Sequence, residues 1–191
     1  MKAEVDPYDN WIMDHIVANK GTTTKLTREI AAKLQPMLAC QHAAWNRWLI
    51  GYNCWPYNQI KVNIVGWAAR EASDLEWSDE SLGKIYIGDL DKDGSPHLAA
   101  AMRSDYGGGL GTYNFQQVDL DDMLAHLDDK ELEIVSHEMD HGFGLPDFYE
   151  EPKPDNFPPT LIDAFTSSTV RDTDGWMLRL VLENKKSKYD F

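Results

Sequence analysis

Ile134-Val135-Ser136-His137-Glu138-Met139-Asp140-His141-Gly142-Phe143-Gly144-Leu145-Pro146-Asp147-Phe148-Tyr149 is the stretch on which the fold turns. It follows Asp128-Asp129-Lys130-Glu131-Leu132-Glu133, a helix start whose acids favour the positive end of the helix dipole. On that helix His137 and His141 are four residues apart, one turn along a single face, so both imidazoles reach one ion. Glu138 is rotated by about 100° from His137, which puts its carboxylate beside the ion as a general base. Gly142 and Gly144 end the helix where a left-handed or tight backbone is easiest, and Pro146 forbids its resumption. The chain must turn back, and Asp147 is delivered towards the ion as the third ligand. Two imidazoles and a carboxylate suit Zn2+, which takes such donors in a tetrahedron and leaves one position to water at a catalytic site. Asp140, inside the motif, reads as a second carboxylate facing solvent.

His137-Glu138-x-x-His141-x-x-Gly144-x-x-Asp147 resembles the metzincin form of the zinc metallopeptidase motif, in the variant with aspartate as third ligand. Gly144-Leu145-Pro146-Asp147-x-Tyr149 is similar to snapalysin-type and immune-inhibitor-A-type bacterial zinc endopeptidases. A wider resemblance, over about residues 45–190, is to uncharacterised fungal and actinomycete zincin-like proteins, some of them labelled cellulose-binding. It is carried by Tyr52-Asn53-Cys54-Trp55-Pro56-Tyr57-Asn58, by Val65-Gly66-Trp67 and by Trp176-Met177-Leu178-Arg179. The resemblance implies an α+β, zincin-like fold: a small twisted mixed sheet, an active-site helix and a C-terminal helical subdomain. It also implies that the edge strand before that helix lines the cleft and pairs with an extended substrate. One departure stands out. Metzincins carry a Met-turn beneath the metal, whereas Thr160-Leu161-Ile162-Asp163-Ala164-Phe165-Thr166 holds no methionine, and Met177, next in the chain, reads as core.

Composition bounds the alternatives. The 191 residues, 42% apolar, suffice for a core that buries roughly 68–70% of the unfolded surface, so a metal is not needed merely to fold. Lys and Arg number 18 against 32 Asp and Glu, a net charge of −14, which argues against nucleic acid and anionic membranes as partners. No stretch approaches the roughly 18 apolar residues of a membrane span, and the first residues hold no apolar signal core. The chain therefore reads as soluble, either cytoplasmic or a trimmed secreted protein. Cys40 and Cys54 read as buried free thiols, with a disulfide between them as the alternative.

Along the chain there is no internal repeat, and residues 1–191 read as one domain. N-terminal helices occupy about 8–50, the sheet and zinc helix about 58–142, and a C-terminal subdomain about 143–191. Asp9 to Lys20 has Trp11, Ile12, His15 and Ile16 on one helical side, closed by Gly21, with Thr22 to Thr24 as a turn or cap. A longer helical pattern runs from Thr27 towards Ile50, with Pro36 starting a second helix or kinking the first. Ile60 to Trp67 alternates and is β-branched, so it is the best strand; Lys84 to Gly88 is a second and Leu98 to Met102 a weaker third. Asp174 to Lys186 carries Trp176, Met177, Leu180 and Val181 at helical spacing. That order favours α+β over a doubly wound sheet.

Weaker signals divide. Asp89-x-Asp91-x-Asp93-Gly94 opens like a calcium loop, but Ala100 stands where the closing Glu belongs, so a solvated acidic turn is the better reading. Tyr106-Gly107-Gly108-Gly109-Leu110-Gly111-Thr112-Tyr113 lacks a phosphate-loop lysine; it is either a cleft-lining strand whose glycines admit a close backbone approach or a flexible connection. Tyr106, Tyr113 or Tyr149 are candidate oxyanion donors. His15, His42, His97 and His126 lack partners at ligand spacing, and most of the seven tryptophans fall at apolar helical or strand positions, so core is the default over a carbohydrate-stacking face. The leading expectation is a zinc-dependent hydrolase, a metallo-endopeptidase acting on peptides. The alternatives are a zincin scaffold redirected to a small-molecule biosynthetic reaction, and a non-catalytic zinc- or glycan-binding module. Oligomeric state is left open.

Overall fold

A computed structural model describes residues 2–5, 11–19, 25–88, 100–103, 108–113 and 115–188. Seven strands and four α-helices are present among them: β1 (Lys2–Val5), β2 (Trp11–Asn19), α1 (Arg28–Asn46), β3 (Ile60–Ala69), β4 (Lys84–Ile87), β5 (Ala100–Arg103), β6 (Gly109–Thr112), β7 (Phe115–Asp119), α2 (Leu120–Ala125), α3 (Glu133–Phe143) and α4 (Asp172–Lys185). All strands join one sheet in the order β4-β3-β2-β5-β7-β6, with β1 on β2. Contacts β4/β3, β3/β2, β2/β5 and β5/β7 are parallel, whereas β6 runs antiparallel to β7 as an edge. The class is mixed α/β, compatible with the α+β expectation.

The helix expected over Asp9 to Lys20 is a strand. Trp11 to Asn19 pairs in parallel with Ile60 to Ala69 along its length and with β5 at its end, slipping register between His15 and Ile16. The apolar spacing of Trp11, Ile12, His15 and Ile16 fits a helical face equally well, but bonding to two neighbouring strands decides for β. Gly21 and Thr22 to Thr24, the acidic turn Asp89 to Gly94, His97, Leu98 and Tyr106 lie outside the described residues.

Other elements follow local chemistry closely. Thr27 Oγ1 accepts from Ile30 N at 3.1 Å and caps α1, which runs unbroken through Pro36 and ends at Asn46 rather than Ile50. Gly66 to Ala69 in β3 are buried at four successive positions, as expected for a strand covered on both faces. Helix α1 packs on β3 and on α3. Trp45, wholly buried, ties these layers by donating Nε1 to Ser136 O at 3.0 Å. Leu132, the N-cap of α3, has no capping side chain, and α1 supplies the cap: Gln41 Oε1 accepts from Leu132 N at 2.9 Å and from Ser136 Oγ at 2.7 Å. Met177 is core, as read, but α4 faces differently from its reading. Met177, Leu178 and Leu182 point inward, while Trp176 and Leu180 are exposed. Cys40 and Cys54 are free, and both are exposed rather than buried. No described helix is long and apolar enough to cross a membrane.

Candidate metal centre

Helix α3 is buried on every side from Val135 to Asp140, held between α1 and the β6/β7 edge. Gly144 stops it in a left-handed conformation, φ 94°, and its N–H bonds back to His141 O at 3.1 Å. The chain reverses through Leu145 and Pro146, and the reversal places Asp147 over the histidines. Its Oδ1 is 3.0 Å from His137 Nε2 and 3.6 Å from His141 Nε2. Glu138 stands alongside, Oε2 being 3.8 Å from His141 Nε2. His137, Glu138 and His141 each offer a ligand atom within 4.8 Å of the others.

The other ring nitrogens determine what these atoms are. His137 Nδ1 is 2.8 Å from Leu161 O, and His141 Nδ1 is 2.8 Å from Leu145 O. A carbonyl only accepts, so each Nδ1 carries a proton and, in a neutral ring, each Nε2 presents a lone pair. Two ring nitrogens and a carboxylate oxygen thus converge, a donor set that a metal cation satisfies. Tetrahedral zinc with bonds of about 2.0–2.1 Å sets its ligands roughly 3.3 Å apart, and the 3.0 and 3.6 Å separations bracket that value. The donor set can hold a divalent metal, zinc among them, and the two carbonyls would then be the outer partners that fix ligand orientation.

Strand β6 closes the site from the sheet side. A Cβ on Gly109 would stand 2.2 Å from Glu138 Oε1, and one on Gly111 would stand 2.4 Å from both Glu138 O and His141 Cδ2. Within this glycine-rich segment Gly109–Thr112 is a strand rather than an unstructured connection, and its backbone lies close against α3. Burial pushes the Glu138 carboxyl up to about 7; His137 opposes this and Asp147 adds to it. Tyr149 Oη is 3.2 Å from His137 Nε2, its ring parallel to the imidazole, and burial followed by the nearby Asp147 carboxylate raises its phenol. Tyr113 is exposed at the end of β6.

No family model, curated protein or solved structure matches the chain.

Asp140 departs from its reading. It is fully buried rather than facing solvent, because α3 has no solvent side at that turn. Among the described residues neither of its carboxylate oxygens has a hydrogen-bond partner, and burial raises its carboxyl well above the usual range, with Glu138, Asp147 and Asp174 adding to the effect. Its Oδ1 is 3.3 Å from His141 Nδ1, which donates to Leu145 instead. Sequence reasoning also missed the carbonyls of Leu145 and Leu161. Main-chain acceptors carry no side-chain signature; the tight Gly144-Leu145-Pro146 turn was the one hint, and it pointed to Leu145. His42 is buried against Phe143, and His126 pairs with Asp129 on the surface, away from the metal-facing cluster.

Proposed function

We propose that this chain is a zinc-dependent hydrolase of the zincin type, most simply a metallo-endopeptidase, with His137, His141 and Asp147 holding the metal and Glu138 as general base. The observation that carries the reading is the convergence of His137 Nε2, His141 Nε2 and Asp147 Oδ1 with both Nδ1 atoms committed to backbone carbonyls. Support also comes from the antiparallel edge strand β6 lying against α3, the arrangement that the metzincin resemblance implies.

When bound, zinc supplies Lewis acidity to a substrate carbonyl and to the attacking water. The chain's own residues supply the rest. Glu138 Oε2, beside the ligand atoms rather than among the nearest, takes the proton of the attacking water and returns it to the leaving nitrogen. Gly109 and Gly111 let the β6 backbone lie against that carboxylate, limiting its rotamers and excluding bulk water. Tyr149 keeps its phenol protonated and offers Oη–H as a donor to the oxygen that gains charge as the carbonyl is attacked.

The test is mass-spectrometric profiling of a diverse peptide library with zinc-loaded wild type and Glu138→Ala. Peptides cut by wild type alone, with rates falling about 10²–10⁴-fold in the variant while zinc is retained, support the reading. Absence of cleavage by protein that holds one zinc per chain refutes the peptidase assignment and directs attention to small-molecule substrates.

A further inference from the structure

Asp174 belongs to α4, thirty-seven residues after His137, yet it is wholly buried and reaches the chain that supports that histidine. Its carboxylate accepts from Leu161 N at 3.0 and 3.2 Å, from Arg171 N at 2.6 Å and from the Thr160 hydroxyl. A buried carboxylate with this many donors is an anchor of fixed geometry. Thr160 Oγ1, held by Asp174, in turn accepts from Ile162 N at 3.3 Å.

The consequence lies in one peptide plane. Ile162 N–H and Leu161 C=O belong to the same peptide group, and in a trans peptide they point in opposite directions. Fastening Ile162 N–H to Thr160 Oγ1 therefore aims Leu161 C=O the other way, at His137 Nδ1, 2.8 Å off. The next carbonyl, Ile162 O, accepts from Phe148 N at 2.9 Å and so holds the segment that carries Asp147. One short loop, fixed by one buried acid, orients two of the three ligand atoms.

We propose that Asp174 and Thr160 are positioning residues for the metal centre: they lock the Leu161–Ile162 peptide so that His137 keeps its proton on Nδ1 and turns Nε2 to the ion. This rests on the metal-binding reading above. Neither side chain touches the ion or the reacting atoms. The support beneath His137 is therefore polar and hydrogen-bonded.

The experiment uses Thr160→Val, which preserves shape and deletes the hydroxyl, Asp174→Asn, which keeps one accepting oxygen and turns the other into an NH2 donor, and Thr160→Ser as the restoring variant. The first readout is metal-free: long-range proton–nitrogen correlation of the imidazole rings. Wild type and Thr160→Ser should show His137 as a single Nδ1–H tautomer, and Thr160→Val a mixture. The second is zinc affinity by competition with a chromophoric chelator, expected to fall about 10–100-fold in Thr160→Val and Asp174→Asn and to return in Thr160→Ser. Leu182→Ala, a core truncation in the same helix, controls for general destabilisation and should leave zinc affinity unchanged. A single unaltered His137 tautomer in Thr160→Val overturns the proposal, as does wild-type zinc affinity in both variants. If wild type itself bound no zinc the hydrolase reading would fall, and the tautomer experiment would still decide the role of Thr160 and Asp174.

Discussion

Alanine at position 111 would put a methyl carbon 2.4 Å from two atoms at once, the carbonyl oxygen of Glu138 and Cδ2 of His141. Ordinary contact begins near 3.4 Å, so about 1 Å of overlap has to be absorbed. Neither neighbour yields easily, since the oxygen belongs to the α3 backbone and the ring is tied through Nδ1 to Leu145 O. Overpacking of this kind costs about 1–3 kcal/mol, or about 2–12 °C of Tm in a domain of this size. Gly111→Ala should therefore melt lower and bind zinc at least about tenfold more weakly, because the ring that carries Nε2 is displaced. Position 109 meets different atoms. Its added carbon would stand 2.2, 2.4 and 2.5 Å from Oε1, Cγ and Cδ of Glu138, all atoms of one side chain and none of the backbone. Gly109→Ala should keep its Tm and its zinc but lose about 10²-fold in turnover, the usual cost of moving a catalytic group by about 1 Å. Differential scanning fluorimetry, chelator competition and peptide cleavage separate the two profiles. A Gly111→Ala protein with wild-type stability and zinc affinity would refute the placement of β6 on α3, and identical profiles for both variants would refute the division between backbone and side-chain contact.

Three other perturbations test the frame around the site. Gly175→Ala gains helix propensity worth about 1 kcal/mol, yet its Cβ would stand 2.3 Å from Trp48 Cδ2. It should lower Tm in thermal melts, and a rise would show that α4 sits farther from Trp48. Gln41→Leu keeps the volume but strips Leu132 N and Ser136 Oγ of their acceptor, costing roughly 1–3 kcal/mol in urea unfolding; a loss below about 0.5 kcal/mol would contradict the cap. The metal-free protein carries a Glu138 carboxyl at about 7 against an ordinary 4.5, so its folded state holds a proton that the unfolded chain has released between those values. Its stability relative to Glu138→Gln should fall as pH rises through that window and level off above it; parallel unfolding curves in the presence of chelator would refute this.

Much of the site was legible locally. Two histidines at i and i+4 share a face wherever α3 lies, and Gly144 and Pro146 mark the reversal after it because left-handed backbone and a missing N–H are properties of single residues. Strands β3 and β4 and helix α4 are likewise visible in their own periodicity. Trp11 to Asn19 was not, since the apolar spacing of nine residues fits two periods and its pairing partners lie about fifty and eighty residues away. Asp140 misled for a related reason: an acid on a helix is assigned to water by default, and only the packing of α1 and β6 around α3 removes the water.

The sequence alone determined the donor set, its spacing on a helix and the turn that returns Asp147, because these depend on backbone geometry within about a dozen residues. Tertiary structure alone decided which nitrogen of each histidine faces the carboxylate, how close Asp147 comes, and what lies above Glu138 and beneath His137. Those properties belong to carbonyls and glycines brought from distant parts of the chain. A main-chain oxygen has the same chemistry in every residue, so nothing short of the folded structure distinguishes the ones at Leu145 and Leu161 from the rest.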